Sequence, residues 1–276
     1  MATVRPRDRG GRAAASRAEL VGRQSDYWRT VYRRTWKGTA VSSFVQPLFY
    51  VAAMGVLLGD YVDSANGDAG LEGASSYLAF IAPGLLTAQA MQLAVGEVLW
   101  PVMGMTKWNR TYYGMLATPL RVSDIVAAHL AFVLFRVASS CAVFALVLAP
   151  FDVYRSVGGA LLAFLASVLV GMAFATPLYA FAAGASSELS FPLILRVGVM
   201  PLFLFSGAFF PITTLPPVLE WLARVTPLWH GVDLARMATL GRLDGGAAAV
   251  HVAYLAVMCA LGCWWAVRRL TKRLVV

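Results

Sequence analysis

Long runs without a charged side chain recur along this sequence. One extends from Gly38 to Gly59 and another from Ser156 to Ser187. A helix that crosses the hydrocarbon core of a bilayer needs about 20 consecutive, mainly apolar residues, and both runs meet that length. The chain is 59% hydrophobic and 13% charged, whereas soluble domains are about 25% charged. The sequence therefore predicts an integral membrane protein.

The same length criterion predicts six membrane-spanning helices in one all-α transmembrane domain, residues 38–268. The spans are predicted at Gly38 to Gly59, Ser75 to Pro101, Ile125 to Pro150, within Ser156 to Ser187, from Leu189 past Phe205, and at Gly245 to Val267. Six is consistent with the charge distribution, because both ends of the chain are basic.

Basic residues set the expected orientation, because cytoplasmic loops carry an excess of lysine and arginine. Ten of the 23 basic residues lie between Arg5 and Lys37, so the arm formed by residues 1–24 is expected to be flexible and cytoplasmic. The first loop, DYVDSANGDAGLEG, is acidic, which is typical of the outer side. The basic tail, residues 269–276, places the carboxyl terminus in the cytoplasm as well. A basic juxtamembrane arm favours contact with anionic membrane lipids over nucleic acid.

Residues 25–37 follow the pattern of an amphipathic helix that lies at the membrane interface. Trp28 and Tyr32 share one helical face, while Arg29 points away from it. Trp36 continues the aromatic content toward the first span. An interfacial helix and a simple aromatic anchoring belt both explain this pattern, and the sequence does not separate them.

The stretch after the fifth span, residues 211–241, shows no sharp change from apolar to polar residues. It remains largely apolar but carries prolines and several charged side chains. The pattern predicts two short amphipathic helices broken at Thr226–Pro227, each too short to span. Broken helices at membrane depth are tolerated only where protein or a cavity satisfies their backbone groups. We therefore expect a re-entrant segment that dips into the outer leaflet and turns back.

The sequence offers no catalytic machinery. It contains no GxxxxGK[ST] phosphate loop, and its three histidines lie in distant segments, so no Ser/His/Asp triad can be assembled. Its three cysteines lie inside apolar runs without metal-ligand spacing. The chain is therefore predicted not to be an enzyme and to bind no cofactor or metal itself.

Two sequence patterns carry a resemblance to a known family. The first is Ser206-Gly207, Phe210-Pro211, Leu215-Pro216, Pro227-Leu228, His230 and Arg236. The second is Met115-Leu116-Ala117-Thr118-Pro119-Leu120, followed by Asp124-Ile125-Val126. With the order of elements, residues 25–270 resemble the permease subunit of type-2 ABC exporters. The most similar branch is the one that contains nodulation-factor exporters and daunorubicin-type drug exporters.

The resemblance implies a half-transporter in the bacterial plasma membrane. Two permease subunits, with a homodimer favoured over a heterodimer, would pair with two copies of a cytoplasmic P-loop ATPase that binds ATP and Mg²⁺. A coupling helix at residues 107–117 would transmit the motion of the ATPase. Its implied contact residues are Trp108, Arg110, Tyr112, Met115 and Leu116. An ordinary basic loop is the alternative for this segment.

The resemblance also implies that the re-entrant segment is a gate at the outer mouth. Gate candidates are Phe210, Pro211, Leu215, Pro216, Pro227, His230, Asp233 and Arg236. The prolines break helices where turns are needed. Asp233 and Arg236 are three residues apart and are expected to pair across one helical turn. For His230, capping or a hydrogen bond to a neighbouring carbonyl is favoured over a role in sensing pH.

Two charged residues lie within the predicted spans, where charge is costly. Arg136 is 11 residues into the third span, about 16 Å by helical rise, and is expected near mid-membrane. Glu97 lies near the inner end of the second span. Two hypotheses stay open: Arg136 contacts an anionic or glycosylated head group of the cargo, or it forms a structural ion pair.

The favoured function is ATP-driven export of an amphipathic cargo: a glycolipid, a lipo-oligosaccharide, a lipid-linked glycan or a hydrophobic drug. The family resemblance further implies that cargo enters laterally between the first and fifth spans, with Trp28, Tyr32 and Trp36 at the cytoplasmic gate. The alternatives are an ion-gradient-driven carrier, which commonly has internal repeats and charged relays in mid-membrane, and a membrane enzyme that modifies lipids. Such an enzyme needs clustered acids or histidines at a membrane face.

Overall fold

The computed structural model of the chain describes residues 17–66 and 71–275. Most of the predicted arm, residues 1–16, lies outside these ranges, as do residues 67–70 of the predicted outer loop and Val276 at the end of the tail. All regular secondary structure in the described ranges is helical. The predicted all-α class is therefore confirmed.

The described residues form a series of helices joined by short turns. The α-helices are α1 (Arg17–Tyr50), α2 (Gly59–Asn66), α3 (Tyr77–Met103), α4 (Thr111–Leu116), α5 (Val122–Leu148), α6 (Val157–Gly184), α7 (Phe191–Leu193), α8 (Met200–Phe205), α9 (Pro217–Val225), α10 (Pro227–Thr239) and α11 (Gly245–Leu274). Turns of π-helix extend α1 over Val51–Leu57 and α3 over Gly104–Trp108, and join α7 to α8 over Ile194–Val199.

Five helical segments in the described ranges are long and apolar enough to cross a membrane. They are Tyr77–Trp108, Val122–Phe151, Val157–Gly184, Glu188–Phe205 and Gly245–Leu274. Each overlaps one of the predicted spans. The remaining predicted span, Gly38 to Gly59, is helical as far as Leu57 but is not one of these five.

The predicted interfacial segment is continuous with this first span. α1 begins at Arg17 and runs without interruption into its π-helical extension, so the boundary predicted at residue 37 is not a break. Gly38 is the helix-weakening residue at that boundary. One glycine in a helix interior costs only about 1 kcal/mol, too little to end a helix whose earlier part packs against α5.

The segment Glu188–Phe205 is the least regular of the five. It passes from a 3₁₀ turn through α7 and a π-helical turn into α8. Pro192 and Pro201 lack the backbone N–H that an unbroken α-helix needs, which explains the change of hydrogen-bond pattern along this segment. Only 6% of its most apolar stretch is buried, so it lies at the periphery of the chain.

The core is built around α3, whose most apolar stretch is 78% buried. α3 packs against α5, α6 and α10, and α11 packs along α6. Glycines allow these helices to approach closely. A Cβ on Gly262 would lie 2.7 Å from the Pro177 nitrogen, and one on Gly171 would lie 2.7 Å from Val137 Cγ1. Small residues of this kind are typical of interfaces between membrane helices.

The predicted basic tail, residues 269–276, is mostly the last turns of α11, which continues to Leu274. The Arg273 guanidinium donates hydrogen bonds to the carbonyls of Ala183 and Ala185 at the end of α6. The last carbonyls of a helix have no partner within the helix and attract positive charge. The start of the tail is therefore structural, which corrects the prediction of a separate segment.

Two short helices lie where the sequence predicted two, with α9 and α10 meeting at Thr226. The Trp229 amide donates a hydrogen bond to Thr226 Oγ1 at 3.3 Å, which caps α10. Pro227 is the first residue of α10, a position where a missing N–H costs nothing. The re-entry of this pair into the outer leaflet stays a prediction.

Candidate functional site

The segment between α3 and α5 contains the predicted coupling helix, and its helical part is shorter than expected. α4 covers only Thr111–Leu116, because Arg110 adopts a left-handed backbone conformation with φ 51° and separates it from the π-helical turn. Trp108 is 52% exposed, and Arg110 is also exposed. Tyr113, which is not among the predicted contact residues, is a further exposed aromatic residue.

The other predicted contact residues of this segment face inward. Met115 and Leu116 are half-buried and pack against the core. Tyr112 is completely buried, so its predicted contact with an ATPase does not fit the structure. A helix as short as α4 turns one face to the core, and Tyr112 is on that face. Sequence spacing alone could not identify this face in a segment where nearly every residue is aromatic or small.

Tyr112 belongs to a buried hydrogen-bond chain that joins four helices. The Tyr179 hydroxyl of α6 donates to the Tyr112 oxygen at 2.9 Å. The Tyr112 hydroxyl then donates to His129 Nδ1 of α5 at 2.6 Å. Nε2 of the same imidazole lies 3.3 Å from the Glu97 carbonyl of α3, and this partner assigns the proton to Nε2. Burial and the neighbouring Tyr179 raise the pKa of Tyr112 well above its usual value, so the hydroxyl stays protonated.

The predicted cytoplasmic gate residues lie on α1 and differ in exposure. Trp28 is only 5% exposed and stacks against His129, with ring centroids 4.4 Å apart. Tyr32 is half-buried and Trp36 is 47% exposed. Trp28 is thus part of the packed interior next to the hydrogen-bond chain. Its burial corrects the prediction that Trp28 lies at the surface of a lateral opening.

Glu97 and Arg136 form an ion pair between α3 and α5. Arg136 Nη2 lies 2.7 Å from Glu97 Oε1, and Nε donates to the same oxygen at 3.0 Å. The guanidinium also lies 5.9 Å from the centre of the Tyr32 ring. The structural ion pair considered from the sequence is therefore present. Its presence does not test a contact with cargo.

The mid-membrane depth expected for Arg136 stays a prediction. Tyr32 lies level with it, and on α1 the exposed Arg33 and Lys37 follow further along the helix. The pair therefore lies about 8 Å before Lys37 along α1. On α5, Arg136 is in the middle of the candidate span Val122–Phe151.

Arg236 holds the outer segment against α3. Its guanidinium donates to the Gly207 carbonyl at 2.6 Å and the Phe80 carbonyl at 3.3 Å, and lies 3.2 Å from Glu72 Oε2. It also stacks over the Phe80 ring at 3.9 Å. The predicted pair with Asp233 is therefore replaced by a pair with Glu72. Glu72 comes from the distant acidic loop, so no local spacing in the sequence could reveal it.

Asp233 instead joins a chain of two histidines between α10 and α11. His251 Nε2 lies 3.0 Å from Asp233 Oδ2, and His251 Nδ1 lies 2.7 Å from His230 Nδ1. Burial and then the neighbouring His251 lower the pKa of His230 to about 4, although Asp233 acts in the opposite direction. The expectation from the sequence was that His230 caps a helix or bonds to a neighbouring backbone carbonyl. A side chain on α11 takes that place.

All but one of the remaining gate candidates lie in the turn between α8 and α9. Phe210, Pro211 and Leu215 are half-buried, Pro216 is exposed, and Pro227 begins α10. The preceding turn packs tightly on α3, because a Cβ on Gly84 would lie only 2.6 Å from Ala208 Cα. Within the described ranges, no group of histidine, cysteine and acidic side chains is arranged to hold a metal ion.

Comparison with known proteins places these features in a family. The model of the family described as ABC-2 type transporter matches residues 26–240. The chain is 34% identical to Nodulation protein J of Rhizobium leguminosarum bv. trifolii over 78% of this chain and 81% of the relative. It is 29% identical to Nodulation protein J of Sinorhizobium fredii over 90% and 94% of the two chains. Inner membrane transport permease YadH of Escherichia coli K12 is 26% identical over 77% and 80%.

Proposed function

Because this chain belongs to the ABC-2 type transporter family, we propose that it is the membrane permease subunit of an ATP-driven exporter of an amphipathic cargo. Members of this family are membrane subunits and are not themselves the ATPase. The energy for transport therefore comes from a separate ATPase partner, on which ATP and Mg²⁺ bind.

The observation that carries this proposal is the construction of the segment between α3 and α5. It exposes Trp108 and Tyr113, while the neighbouring Tyr112 is buried and hydrogen-bonded toward α5 and α6. Exposed aromatic side chains are typical anchors of protein interfaces. A segment that is anchored on both sides can pass a displacement of a partner to several spans at once. This is what a coupling element requires.

The cargo is proposed to be amphipathic: a glycolipid, a lipo-oligosaccharide, a lipid-linked glycan or a hydrophobic drug. The two relatives called Nodulation protein J support the branch of exporters that the sequence resembles. The pairing of Arg136 with Glu97 supports a structural role for Arg136. Recognition of an anionic head group by the cargo site is therefore proposed to involve residues other than Arg136.

The assembly is proposed to contain two copies of this chain and two ATPase subunits, with both termini of the permease in the cytoplasm. The peripheral segment Glu188–Phe205, whose apolar face is almost entirely uncovered by the rest of the chain, is a suitable surface for the second permease copy. The outer segment formed by α9 and α10 would then lie near the seam and act as the exit gate.

The first test is affinity purification of the tagged full chain from native membranes in mild detergent, followed by mass spectrometry. We expect a P-loop ATPase to co-purify in stoichiometric amount. Trp108→Ala is expected to reduce that association, whereas Trp221→Ala, which removes a similarly exposed tryptophan from α9, leaves it unchanged. If no ATPase is recovered even after crosslinking through Lys107, the proposal fails. Transport that persists without ATP but stops when the proton gradient is collapsed would indicate a secondary carrier.

A further inference from the structure

We infer that a groove between α1 and α5 binds one anionic phospholipid of the cytoplasmic leaflet, with its phosphate at the basic rim of the groove. The groove has a volume of about 460 Å³, within the range of about 300–1,000 Å³ that is typical of ligand pockets. It lies level with Tyr32, on the cytoplasmic side of Lys37. The choice of leaflet rests on the orientation used in the proposed function.

Two aromatic pairs across the helices form the walls of the groove. Trp28 of α1 stacks on Phe132 of α5, with ring centroids 4.6 Å apart and planes at 20°. Tyr32 meets Phe135 edge to face, with centroids 5.2 Å apart and planes at 83°. Both arrangements are favourable for aromatic pairs. They fix the separation of α1 and α5, so the groove is already formed before a ligand enters.

Small residues form the floor. Ala128 and Ala131 line the groove and lie three residues apart, on one face of α5. Their methyl groups leave space that larger side chains would fill. The floor and walls are apolar, which suits the glycerol backbone and first methylene groups of a lipid. Aromatic side chains at the level of the head groups are typical partners for this part of a bilayer.

The charge at the rim selects an anion. Arg29 and Arg33 line the groove. Asp26 lies three residues before Arg29, whereas Arg33 is seven residues from this nearest acidic residue in the sequence, so Arg33 is the proposed phosphate ligand. Glu97 approaches this region, but its carboxylate is held by Arg136 and so does not repel an anion. A guanidinium group offers paired donors that match the oxygens of a phosphate. Apolar walls below a basic rim therefore fit an anionic phospholipid better than a zwitterionic one.

The test uses the full chain, purified in detergent and stripped of lipid, with native mass spectrometry during titration with phosphatidylglycerol or phosphatidylcholine. We expect one phosphatidylglycerol to bind in preference to phosphatidylcholine. Arg33→Gln is expected to reduce this affinity about tenfold or more, because it removes a charge-assisted hydrogen bond. Arg34→Gln is the matched control, since Arg34 does not line the groove. Arg34→Gln is expected to reduce the affinity at most about fivefold, because only the general attraction of one positive charge to an anionic lipid is lost.

A second variant tests the shape of the groove without changing its charge. Ala131→Trp fills the floor and is expected to abolish preferential binding, while Leu161→Trp on the exposed face of α6 leaves it intact. Variants are compared only when they elute from size exclusion like the parent chain.

Three outcomes would overturn the inference. Equal losses in Arg33→Gln and Arg34→Gln would mean diffuse attraction. Equal binding of the two phospholipids would mean that ordinary bilayer lipid fills the groove. Full competition by inorganic phosphate would mean a site for the free anion. Because recovery of an ATPase is measured separately, the lipid site can fail while the exporter proposal stands.

Discussion

Arg236→Met is expected to destabilise the chain far more than Glu72→Gln, although the two residues form one ion pair. The Arg236 side chain is only 7% exposed, and it donates to two backbone carbonyls besides Glu72. Methionine has a similar length but no donor. The substitution therefore leaves the carbonyls of Phe80 and Gly207 without this partner and releases the turn before α9 from α3.

The expected loss of stability in each variant follows from the burial and hydrogen bonds of the residue that is replaced. Arg236→Met removes two hydrogen bonds from a charged donor to backbone carbonyls, each of which contributes about 1.5–3 kcal/mol, so about 3–6 kcal/mol is lost. The Glu72 side chain is 36% exposed, and its pair is closer to a surface salt bridge, which contributes about 0–1 kcal/mol. With a shift of about 2–4 °C per kcal/mol for a chain of this size, Arg236→Met is expected to lower the midpoint of thermal unfolding by about 6–24 °C. Glu72→Gln is expected to lower it by at most about 4 °C.

The assay is thermal unfolding of the purified full chain in mild detergent, followed by intrinsic tryptophan fluorescence. Arg236→Lys is an informative third variant, because a single ammonium group cannot reach both carbonyls with the geometry of the guanidinium fork. It is expected to fall between the other two. Equal midpoints for Arg236→Met and Glu72→Gln would refute the reasoning, because the backbone contacts of Arg236 would then contribute nothing measurable.

Three further predictions concern other parts of the molecule. Tyr112→Phe removes the hydroxyl that bonds to both His129 and Tyr179, and it is expected to reduce transport per ATP hydrolysed while ATPase binding persists. Tyr113→Phe is the control, because the Tyr113 hydroxyl makes only a long contact of 3.4 Å with the Arg273 carbonyl. Gly84→Ala forces a methyl group against the turn packed on α3 and is expected to cost about 1–3 kcal/mol of stability, measured by thermal unfolding. Gly96→Ala is the control on the same helix. A Cβ at this position has no atom within 4 Å, so the substitution is expected to be neutral or stabilising. The pKa of His230 lies near 4 in the folded chain and at 6.5 in the unfolded chain. The unfolded chain therefore binds the extra proton first as pH drops, so the stability of the fold should decrease between pH 6.5 and pH 4. His230→Gln should flatten this pH dependence, and an unchanged stability profile would contradict the lowered pKa of His230.

The helical segment between α3 and α5 was accessible from the sequence, but the direction of its side chains was not. Positive charge between two apolar runs predicts a cytoplasmic loop, and the pattern that ends at Leu120 carries the family resemblance. Neighbouring aromatic residues in a six-residue helix give no periodic signal that distinguishes the inner face from the outer face. Packing against α5 and α6 decides that Tyr112 is buried and Tyr113 is exposed.

The outer segment shows the same division. Its proline positions predict the break at Thr226, because proline acts on the local backbone. The partners of its charged residues were not predictable in this way. A pair three residues apart was expected for Asp233 and Arg236, yet each bonds instead to a residue far away in the chain, His251 and Glu72 respectively. The energy of a charge depends on its burial, and burial depends on which helices pack together.

Membrane insertion, helical class and the approximate position of each span follow from the sequence alone. Each of these properties depends on about 20 consecutive residues and on the cost of leaving backbone groups or charges in hydrocarbon. The pairing of Glu97 with Arg136, the hydrogen-bond chain through His129 and the groove beside Trp28 were decided only by the tertiary structure. They arise where side chains from separate helices meet, and that meeting is set by close packing around small residues rather than by any local pattern.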